Sequence, residues 1–279
     1  MRRLILLLLA VASVGLGLLA HAFAEARADP IVRRASVALP GWPAGAPPIR
    51  VVLISDIHVG TLAMGERRLN RIVAQINALA PDLVLIAGDC IYGHDPNGAA
   101  RFGEAMVAPL SRLRARYGTV AVPGNHDHWT GLTTVRDQLR RAGVAVIENQ
   151  AILRGPLALG AVGDDFSRHD DLPATLAALR RLPGGRLLLT HSPDIAPDLP
   201  ADAPVLLAGH THCAQVVLPL WGPILEVSRY GARYRCGLVR EGGRTVVVTA
   251  GLGTSALPLR LNAPPDLWLL SVGGQRRRR

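Results

Sequence analysis

The residues of this chain that are best suited to chemistry fall in short polar segments, each of which follows a run of apolar residues. The segments are Asp56-Ile57-His58, Gly88-Asp89, Gly124-Asn125-His126-Asp127, His191 and Gly209-His210-Thr211-His212. A short apolar run predicts a buried strand, so carboxylate, amide and imidazole donors are expected along one edge of a sheet. Such a set suits two divalent cations that share a carboxylate, and a centre of that kind hydrolyses phosphate esters.

The spacing within the segments predicts metal ligands. Asp56 and His58 lie two residues apart at a strand end, so both side chains can reach one metal. His210 and His212 have the same spacing, and one imidazole can face each metal. Asp89 is the natural bridging ligand, because its two oxygens can address two cations.

The most specific segment is residues 124–127. Asn125 offers an amide oxygen to a metal, whereas His126 is expected close by without being a ligand. We expect His126 to donate a proton to the leaving oxygen or to stabilise charge on the phosphoryl oxygens, and Asp127 to hold the His126 ring in one orientation. His191, which ends a predicted strand, is expected to be a further ligand. Taken singly, each segment also fits a polar turn or a structural histidine.

The composition limits the classes of partner. The chain has 279 residues and a net charge of +10, and all of its basic residues are arginine. This arginine content indicates either codon bias or a basic surface that faces anionic lipid or a phosphorylated substrate. A nucleic-acid partner is not expected, because no basic helix or basic–aromatic stretch stands out. The three cysteines, Cys90, Cys213 and Cys236, predict no disulfide framework and no zinc knuckle.

The first 24 residues predict a membrane segment. Arg2 and Arg3 precede an apolar run that extends to about Ala24, which is long enough to cross a bilayer as a helix. The run also ends in small residues that resemble signal-peptidase sites. The length favours an uncleaved anchor, with a cleaved export signal as the alternative. The expected location is the bacterial inner membrane, with the catalytic domain in the periplasm if the segment inserts like a standard export signal, or an exported soluble form if the segment is cleaved. Because arginines flank both sides of the segment, the positive-inside rule does not settle its orientation.

The rest of the chain divides by composition and periodicity. Residues 25–48 are predicted to be a linker because prolines and glycines exclude a long helix. Residues 49–272 are predicted to form one domain, and residues 273–279 a basic tail. Strands and helices alternate in the first half of the domain, and strands dominate the second half, an order that fits two sheets packed face to face with helices outside.

These motifs, in this order, resemble those of the calcineurin-like metallophosphoesterase superfamily, and more narrowly its bacterial membrane-associated branch, related to cell-envelope phosphodiesterases and UDP-diacylglucosamine pyrophosphatases. The resemblance spans roughly residues 49–270. Its further motifs are Pro81-Asp82-Leu83, Gly209–Gln215 with Leu218-Pro219-Leu220, and Gly251-Leu252-Gly253-Thr254-Ser255 followed by Leu257-Pro258-Leu259-Arg260. Two departures are Cys90, in place of an apolar residue, and Cys213-Ala214, where this branch usually has two glycines.

The resemblance implies a fold and a set of roles. The fold is an α/β four-layer α/β/β/α sandwich of two mixed sheets. One metal would be bound by Asp56, His58, Asp89 and His212, and the other by Asp89, Asn125, His191 and His210, with His126 as the catalytic histidine. The expected cofactors are two divalent metal ions chosen from Mn²⁺, Zn²⁺, Fe and Mg²⁺.

The expected function is hydrolysis of a phosphodiester or pyrophosphate bond by metal-activated hydroxide. Membrane attachment favours an envelope or lipid-linked phosphoester as the substrate, and Arg260 is a candidate to bind its phosphate. The alternatives are a phosphomonoesterase with the same site and a non-catalytic metal-binding scaffold. We expect a monomer.

Overall fold

Two six-stranded sheets form the centre of the fold. The computed structural model describes residues 1–274, so most of the predicted basic tail lies outside the described residues. The helices are α1 (Arg2–Ala26), α2 (Glu66–Ala78), α3 (Gly98–Phe102), α4 (Glu104–Leu110), α5 (Asn125–Trp129), α6 (Leu132–Arg141) and α7 (Leu172–Arg180). The strands are β1 (Ile31–Ala38), β2 (Ile49–Ile54), β3 (Leu83–Ala87), β4 (Thr119–Val122), β5 (Val144–Val146), β6 (Gln150–Arg154), β7 (Leu157–Ala161), β8 (Gly185–Leu189), β9 (Val205–Ala208), β10 (Val217–Leu218), β11 (Gly222–Pro223), β12 (Gly237–Glu241), β13 (Arg244–Val248) and β14 (Asp266–Gly273).

Both large sheets are mixed, with parallel strands at their centres. The first sheet has the order β1-β14-β2-β3-β4-β5, and only the β14–β2 pair is antiparallel. The second has the order β12-β13-β9-β8-β7-β6, and its antiparallel pairs lie at the two edges. The central strands read as continuous apolar runs because both of their faces are covered.

The layers follow from which side chains pack together. Leu53 and Leu85 of the first sheet pack against Leu159 and Leu187 of the second in a core between the sheets. Helices α2, α4 and α6 cover the outer face of the first sheet, and α7 covers the outer face of the second. The four-layer α/β/β/α sandwich is therefore confirmed.

Helix α2 shows how the sequence produces an outer layer. Leu69, Ile72, Val73 and Ile76 recur at helical spacing and are buried against the first sheet, as the periodicity predicts. Burial of such a side chain contributes about 1.5–3 kcal/mol, so this single stripe is enough to fix the helix to the sheet.

The segment predicted to be a linker contains strand β1. Residues 31–38 pair in parallel with β14, from Ile31 opposite Asp266 to Ala38 opposite Gly273, so the linker prediction is wrong for these residues. As an edge strand, β1 is only partly buried, and its mixed polar and apolar side chains gave no strand signal. Most of the prolines and glycines that suggested a linker lie beyond it, between residues 40 and 48.

Helix α1 is long and strongly apolar. Its mean hydropathy is 2.4 over an 18-residue window that is 0% buried, so by length and composition it is able to cross a membrane. A cleaved export signal has the same properties. The last turns of α1 differ from the rest, because Ala22 and Ala26 are buried against the domain.

Candidate metal centre

The predicted metal ligands lie just beyond the ends of five strands. Asp56, Asp89 and Asn125 follow β2, β3 and β4 of the first sheet, and His191 and His210 follow β8 and β9 of the second. Because these strands are parallel within each sheet, their carboxyl ends meet at one edge of the sandwich. The fold therefore gathers side chains that are far apart in the sequence.

The backbone is unusual at these residues. The φ angle is positive at Asp56 (49°), His58 (50°), Asp89 (55°), His210 (70°) and His212 (52°). Residues other than glycine rarely adopt this left-handed conformation. It persists where surrounding structure enforces it, which happens most often at functional sites.

A first set of donor atoms surrounds the ring nitrogen Nε2 of His58. This atom lies 3.2 Å from Nε2 of His212, 3.8 Å from Oδ1 of Asp56 and 3.6 Å from Oδ2 of Asp89. Oδ1 of Asp56 also lies 3.3 Å from Nε2 of His212. Donor atoms of Asp56, His58 and His212 all lie within 4.8 Å of one another, and Asp89 joins this set through its contact with His58.

A second set surrounds Nε2 of His191. This atom lies 3.1 Å from Oδ1 of Asn125, 3.2 Å from Oδ2 of Asp89 and 3.2 Å from Nδ1 of His210. The other ring nitrogen of His191 contacts the carbonyl oxygen of Ala87 at 2.7 Å. That hydrogen bond fixes the ring with the Nε2 lone pair toward the site. Oδ2 of Asp89 belongs to both sets.

The two sets fit divalent cations. Two donors that are each about 2.1 Å from a cation, at the angles of tetrahedral or octahedral coordination, lie roughly 3.0–3.4 Å apart. Most of the distances above are in or near that range. Within residues 1–274, the wholly buried Oδ1 of Asp56 has no hydrogen-bond donor. An unpaired buried carboxylate oxygen is costly, and a cation would satisfy it.

Burial lowers the pKa of two imidazoles of the site, whereas at His191 the charge of Asp89 outweighs burial and raises the pKa. The pKa of His58 falls to about 3 and the pKa of His210 to about 4, so both rings are neutral at pH 7 and are able to ligate. Burial also raises the pKa of Asp56 to about 6. At Asp89 burial is outweighed by the charges of His191 and His126, which lower its pKa.

Comparison with known proteins agrees with this geometry. Residues 49–214 match the family described as calcineurin-like phosphoesterase. The chain belongs to the calcineurin-like phosphoesterase family. It is 32% identical to the uncharacterized metallophosphoesterase YkuE of Bacillus subtilis, over 82% of this chain and 81% of that protein.

Two other relatives are longer than this phosphoesterase. An uncharacterized metallophosphoesterase of Helicobacter pylori strain J99 is 29% identical over 80% of this chain and 60% of its own length. A transmembrane protein with metallophosphoesterase domain from Danio rerio is 28% identical over 78% of this chain and 52% of its own length. The chain thus spans roughly half to two thirds of these two relatives.

His126 borders both donor sets of the phosphoesterase. Ring or carboxylate atoms of His58, Asp89 and His126 all lie within 4.8 Å of one another. Nδ1 of His126 lies 2.8 Å from the carbonyl oxygen and 3.2 Å from the backbone nitrogen of Gly93, so Gly93 engages this ring nitrogen and leaves Nε2 to face the site. The ring also lines the cavity beside the donor atoms.

Asp127 does not orient the His126 ring, so that prediction is wrong. Its Oδ1 accepts hydrogen bonds from the backbone N–H groups of Cys90 (2.8 Å) and Ile91 (3.2 Å), and its Oδ2 accepts one from Gly124 (3.0 Å). Successive side chains of a helix point about 100° apart, which turns Asp127 away from the ring of its neighbour. Asp127 instead fastens the loop after β3 to the start of α5.

Arg260 is not available to bind a substrate phosphate, which corrects the prediction made for it. The side chain is 0% exposed. Its guanidinium donates hydrogen bonds to the carbonyl oxygens of His212 (3.2 Å), Gly253 (2.8 Å), Ala250 (2.6 Å) and Ala263 (2.8 Å). With its donors engaged by the main chain, Arg260 supports the loop that carries His212.

A disulfide joins Cys213 to Cys236, although no disulfide framework was expected. Cys213 directly follows the predicted ligand His212, so the bond ties the ligand loop to the segment before β12. Cys90 remains a free, buried thiol. The pairing depends on a contact between residues 23 positions apart, which cysteine spacing alone does not reveal.

Sequence reasoning missed Ser55 and understated the part played by glycine. The Ser55 hydroxyl donates a hydrogen bond to Oδ2 of Asp56, which also accepts one from the backbone N–H of His210 at 3.1 Å. A Cβ atom at Gly88 would lie 2.7 Å from both the backbone nitrogen of Gly124 and Nδ1 of His191. The position of Ser55 directly before Asp56 was the available signal.

A cavity of about 350 Å³ opens beside the donor atoms. Its inner end is formed by the predicted ligands and by His126. Apolar and aromatic side chains line most of the rest, together with the polar His94, Thr211, Gln215 and Ser255; the apolar and aromatic residues are Trp129, Phe166, Val216, Ile224, Leu225, Val227 and Leu257. The cavity therefore joins a polar centre to an apolar wall.

Proposed function

We propose that the chain hydrolyses a phosphodiester or pyrophosphate bond with two divalent cations at this centre. The supporting observation is that one carboxylate oxygen, Oδ2 of Asp89, lies 3.6 Å from His58 Nε2 and 3.2 Å from His191 Nε2. An oxygen common to two donor sets suits a bridging ligand. Metal-dependent hydrolysis of a phosphoester is also the chemistry of the family.

Each side chain has a proposed part in holding the cations. One position would be held by Asp56, His58, Asp89 and His212, and the other by Asp89, Asn125, His191 and His210. Two cations at such a site lower the pKa of water and neutralise charge on the phosphoryl oxygens. Imidazole and carboxylate donors suit Mn²⁺, Zn²⁺ or Fe better than Mg²⁺ alone.

His126 is proposed as the proton donor to the leaving oxygen. The backbone of Gly93 engages Nδ1, so Nε2 is the ring nitrogen available to the cavity. Trp129 packs edge-on against the ring, with 5.0 Å between ring centres, and keeps it in place. A positioned imidazole of this kind contributes about 10²–10⁴-fold to a rate.

The cavity favours a substrate that carries an apolar group. Its wall beyond the centre includes Val216, Ile224, Leu225 and Leu257, whose side chains pack favourably against an alkyl or acyl chain. A phosphoester linked to a lipid of the cell envelope is therefore the proposed substrate class.

Two observations support a location at the membrane with the domain in an oxidising compartment. The backbone N–H of Arg260 donates to the carbonyl oxygen of Ala22 at 2.9 Å, and that of Asn262 donates to Glu25 at 3.2 Å. These contacts favour retention of α1 as an anchor. The Cys213–Cys236 disulfide favours the periplasm over the cytosol. The printed description of the Danio rerio relative as a transmembrane protein is in line with an anchor.

Hydrolysis assays test the proposal. The purified full-length chain with Mn²⁺ is expected to turn over bis-p-nitrophenyl phosphate faster than p-nitrophenyl phosphate. The reverse order would indicate a phosphomonoesterase. No turnover of either compound with Mn²⁺, Zn²⁺ or Fe²⁺ would contradict the proposed function.

A further inference from the structure

An apolar hairpin projects beside the cavity. Strands β10 and β11 pair between residues 217 and 223, and residues 216–225, which we call the apolar hairpin, contain no charged side chain and no hydroxyl or amide side chain. At its tip, Leu220 is 104% exposed and Trp221 is 86% exposed. A contiguous apolar patch of this kind is uncommon on a surface that faces only water.

The apolar hairpin and helix α1 are attached to the same short segment, residues 260–262. The backbone N–H of Val217 donates to the carbonyl oxygen of Leu261 at 2.9 Å. The side-chain amide of Asn262 donates to the carbonyl oxygen of Val217 at 2.8 Å. On the same segment, the backbone N–H of Arg260 holds the carbonyl oxygen of Ala22 in α1. The base of the hairpin therefore lies beside the point where α1 reaches the domain.

This adjacency indicates what covers the hairpin. No residue in the 18-residue apolar window of α1 is buried in the protein, and its length and hydropathy suit a bilayer. A second apolar surface next to the end of that helix meets the same bilayer. Tryptophan favours the membrane–water interface, where its ring is buried and its N–H reaches water.

We propose that the apolar hairpin inserts Leu220 and Trp221 into the bilayer that α1 enters. Ile224 and Leu225 continue from the tip into the wall of the cavity, and Leu257, which is 62% exposed, borders the same wall. The insertion therefore holds the mouth of the cavity against the lipid surface. The consequence for the substrate rests on the proposed function: the substrate is an amphiphile that enters the cavity from the bilayer.

Fluorescence quenching tests the insertion without reference to catalysis. Full-length protein is placed in phosphatidylethanolamine–phosphatidylglycerol vesicles, with and without phospholipids brominated on their acyl chains. The emission of Trp221 is obtained as the difference between the unmodified protein and the Trp221→Phe variant. We expect this emission to be quenched by the brominated lipid and protected from iodide in the water.

Two other results would overturn the insertion. Quenching of Trp221 by iodide with no effect of brominated lipid would show that the tip lies in water. Protection from both quenchers would show that protein covers the tip, as in an association between two copies of the chain.

An activity comparison tests the consequence for the substrate. The probes are hexadecyl p-nitrophenyl phosphate in the same vesicles and bis-p-nitrophenyl phosphate in water. The activity of Leu220→Asp and Trp221→Asp on the vesicle probe is expected to be about tenfold lower than that of the unmodified protein, since a charge at the interface opposes insertion. Their activity on the soluble probe is expected to be unchanged.

Leu153→Asp is the matched control, because Leu153 is 42% exposed on the edge strand β6. It is expected to change neither activity. Equal activity of the hairpin variants and the unmodified protein on vesicles would contradict entry from the bilayer. If the unmodified protein hydrolyses neither probe, the proposed function fails, and the quenching result still decides the insertion.

Discussion

Asp89 connects the two donor sets to the segment that carries His126, because its Oδ1 accepts a hydrogen bond from the backbone N–H of His126 at 2.9 Å. Its other oxygen, Oδ2, is the atom common to both donor sets. The hydrogen bond fixes the plane of the carboxylate and aims Oδ2 between the sets. The same bond places the start of α5, and with it the ring of His126, beside the two donor sets.

Asp89→Asn is predicted to empty both metal positions. The amide keeps an oxygen for the His126 N–H group but lacks the negative charge that two cations share. We expect metal content, measured by plasma mass spectrometry, to fall at both positions and kcat/KM to fall by at least about a hundredfold. Asp137→Asn, on the exposed face of α6, is the control. One fully occupied position in Asp89→Asn would count against the bridging role.

His126→Ala is predicted to keep its metal and lose turnover. The ring lies outside the two four-residue donor sets, and its proposed task is proton donation. We expect kcat to fall by about 10²–10⁴-fold with unchanged metal content. His128→Ala is the control, since His128 is engaged with Glu148 at 2.8 Å. If His126→Ala instead lost a metal ion, His126 would be a ligand.

The convergence of the predicted ligands was predictable because their strands are central and parallel. Buried strands such as β3 read as unbroken apolar runs, and the carboxyl ends of parallel strands meet at one edge. Asp56, Asp89 and His191 were therefore expected together before any distance was known. The neighbouring donors His58, Asn125, His210 and His212 complete the set, and the combination of carboxylate, amide and imidazole groups made the prediction of a metal site specific.

The remaining features depend on information that is absent from local sequence. Strand β1 lies at an edge and shows no apolar run. Arg260 was predicted to bind a phosphate because the sequence does not reveal that its side chain is buried. The role of Asp127 was predicted wrongly because the direction of its side chain depends on where the five-residue helix α5 begins. The Cys213–Cys236 bond forms through tertiary contact alone.

Arg260→Met is predicted to destabilise the fold without a direct effect on substrate binding. It leaves several buried carbonyl oxygens without donors, at a cost of at least about 3 kcal/mol, and loosens the loop that carries His212. Thermal unfolding with and without Mn²⁺ measures the loss, and Arg260→Lys is expected to recover part of it. An unchanged unfolding temperature with a raised KM would restore the role of phosphate contact.

The disulfide is predicted to stabilise the ligand loop. Closure of a loop of this size contributes about 3 kcal/mol, so Cys213→Ser should lower the unfolding temperature and weaken metal binding through His212. Thiol titration under denaturing conditions should detect one thiol, Cys90, before reduction and three afterwards. Three thiols before reduction would mean that the bond does not form.

The most direct test of the two-metal centre is anomalous diffraction from crystals grown with Mn²⁺. We predict two peaks about 3.5–4 Å apart, with Oδ2 of Asp89 between them and with His58 and His191 on opposite sides. A single peak, or peaks away from Asp89, would contradict a binuclear centre at this edge of the sandwich.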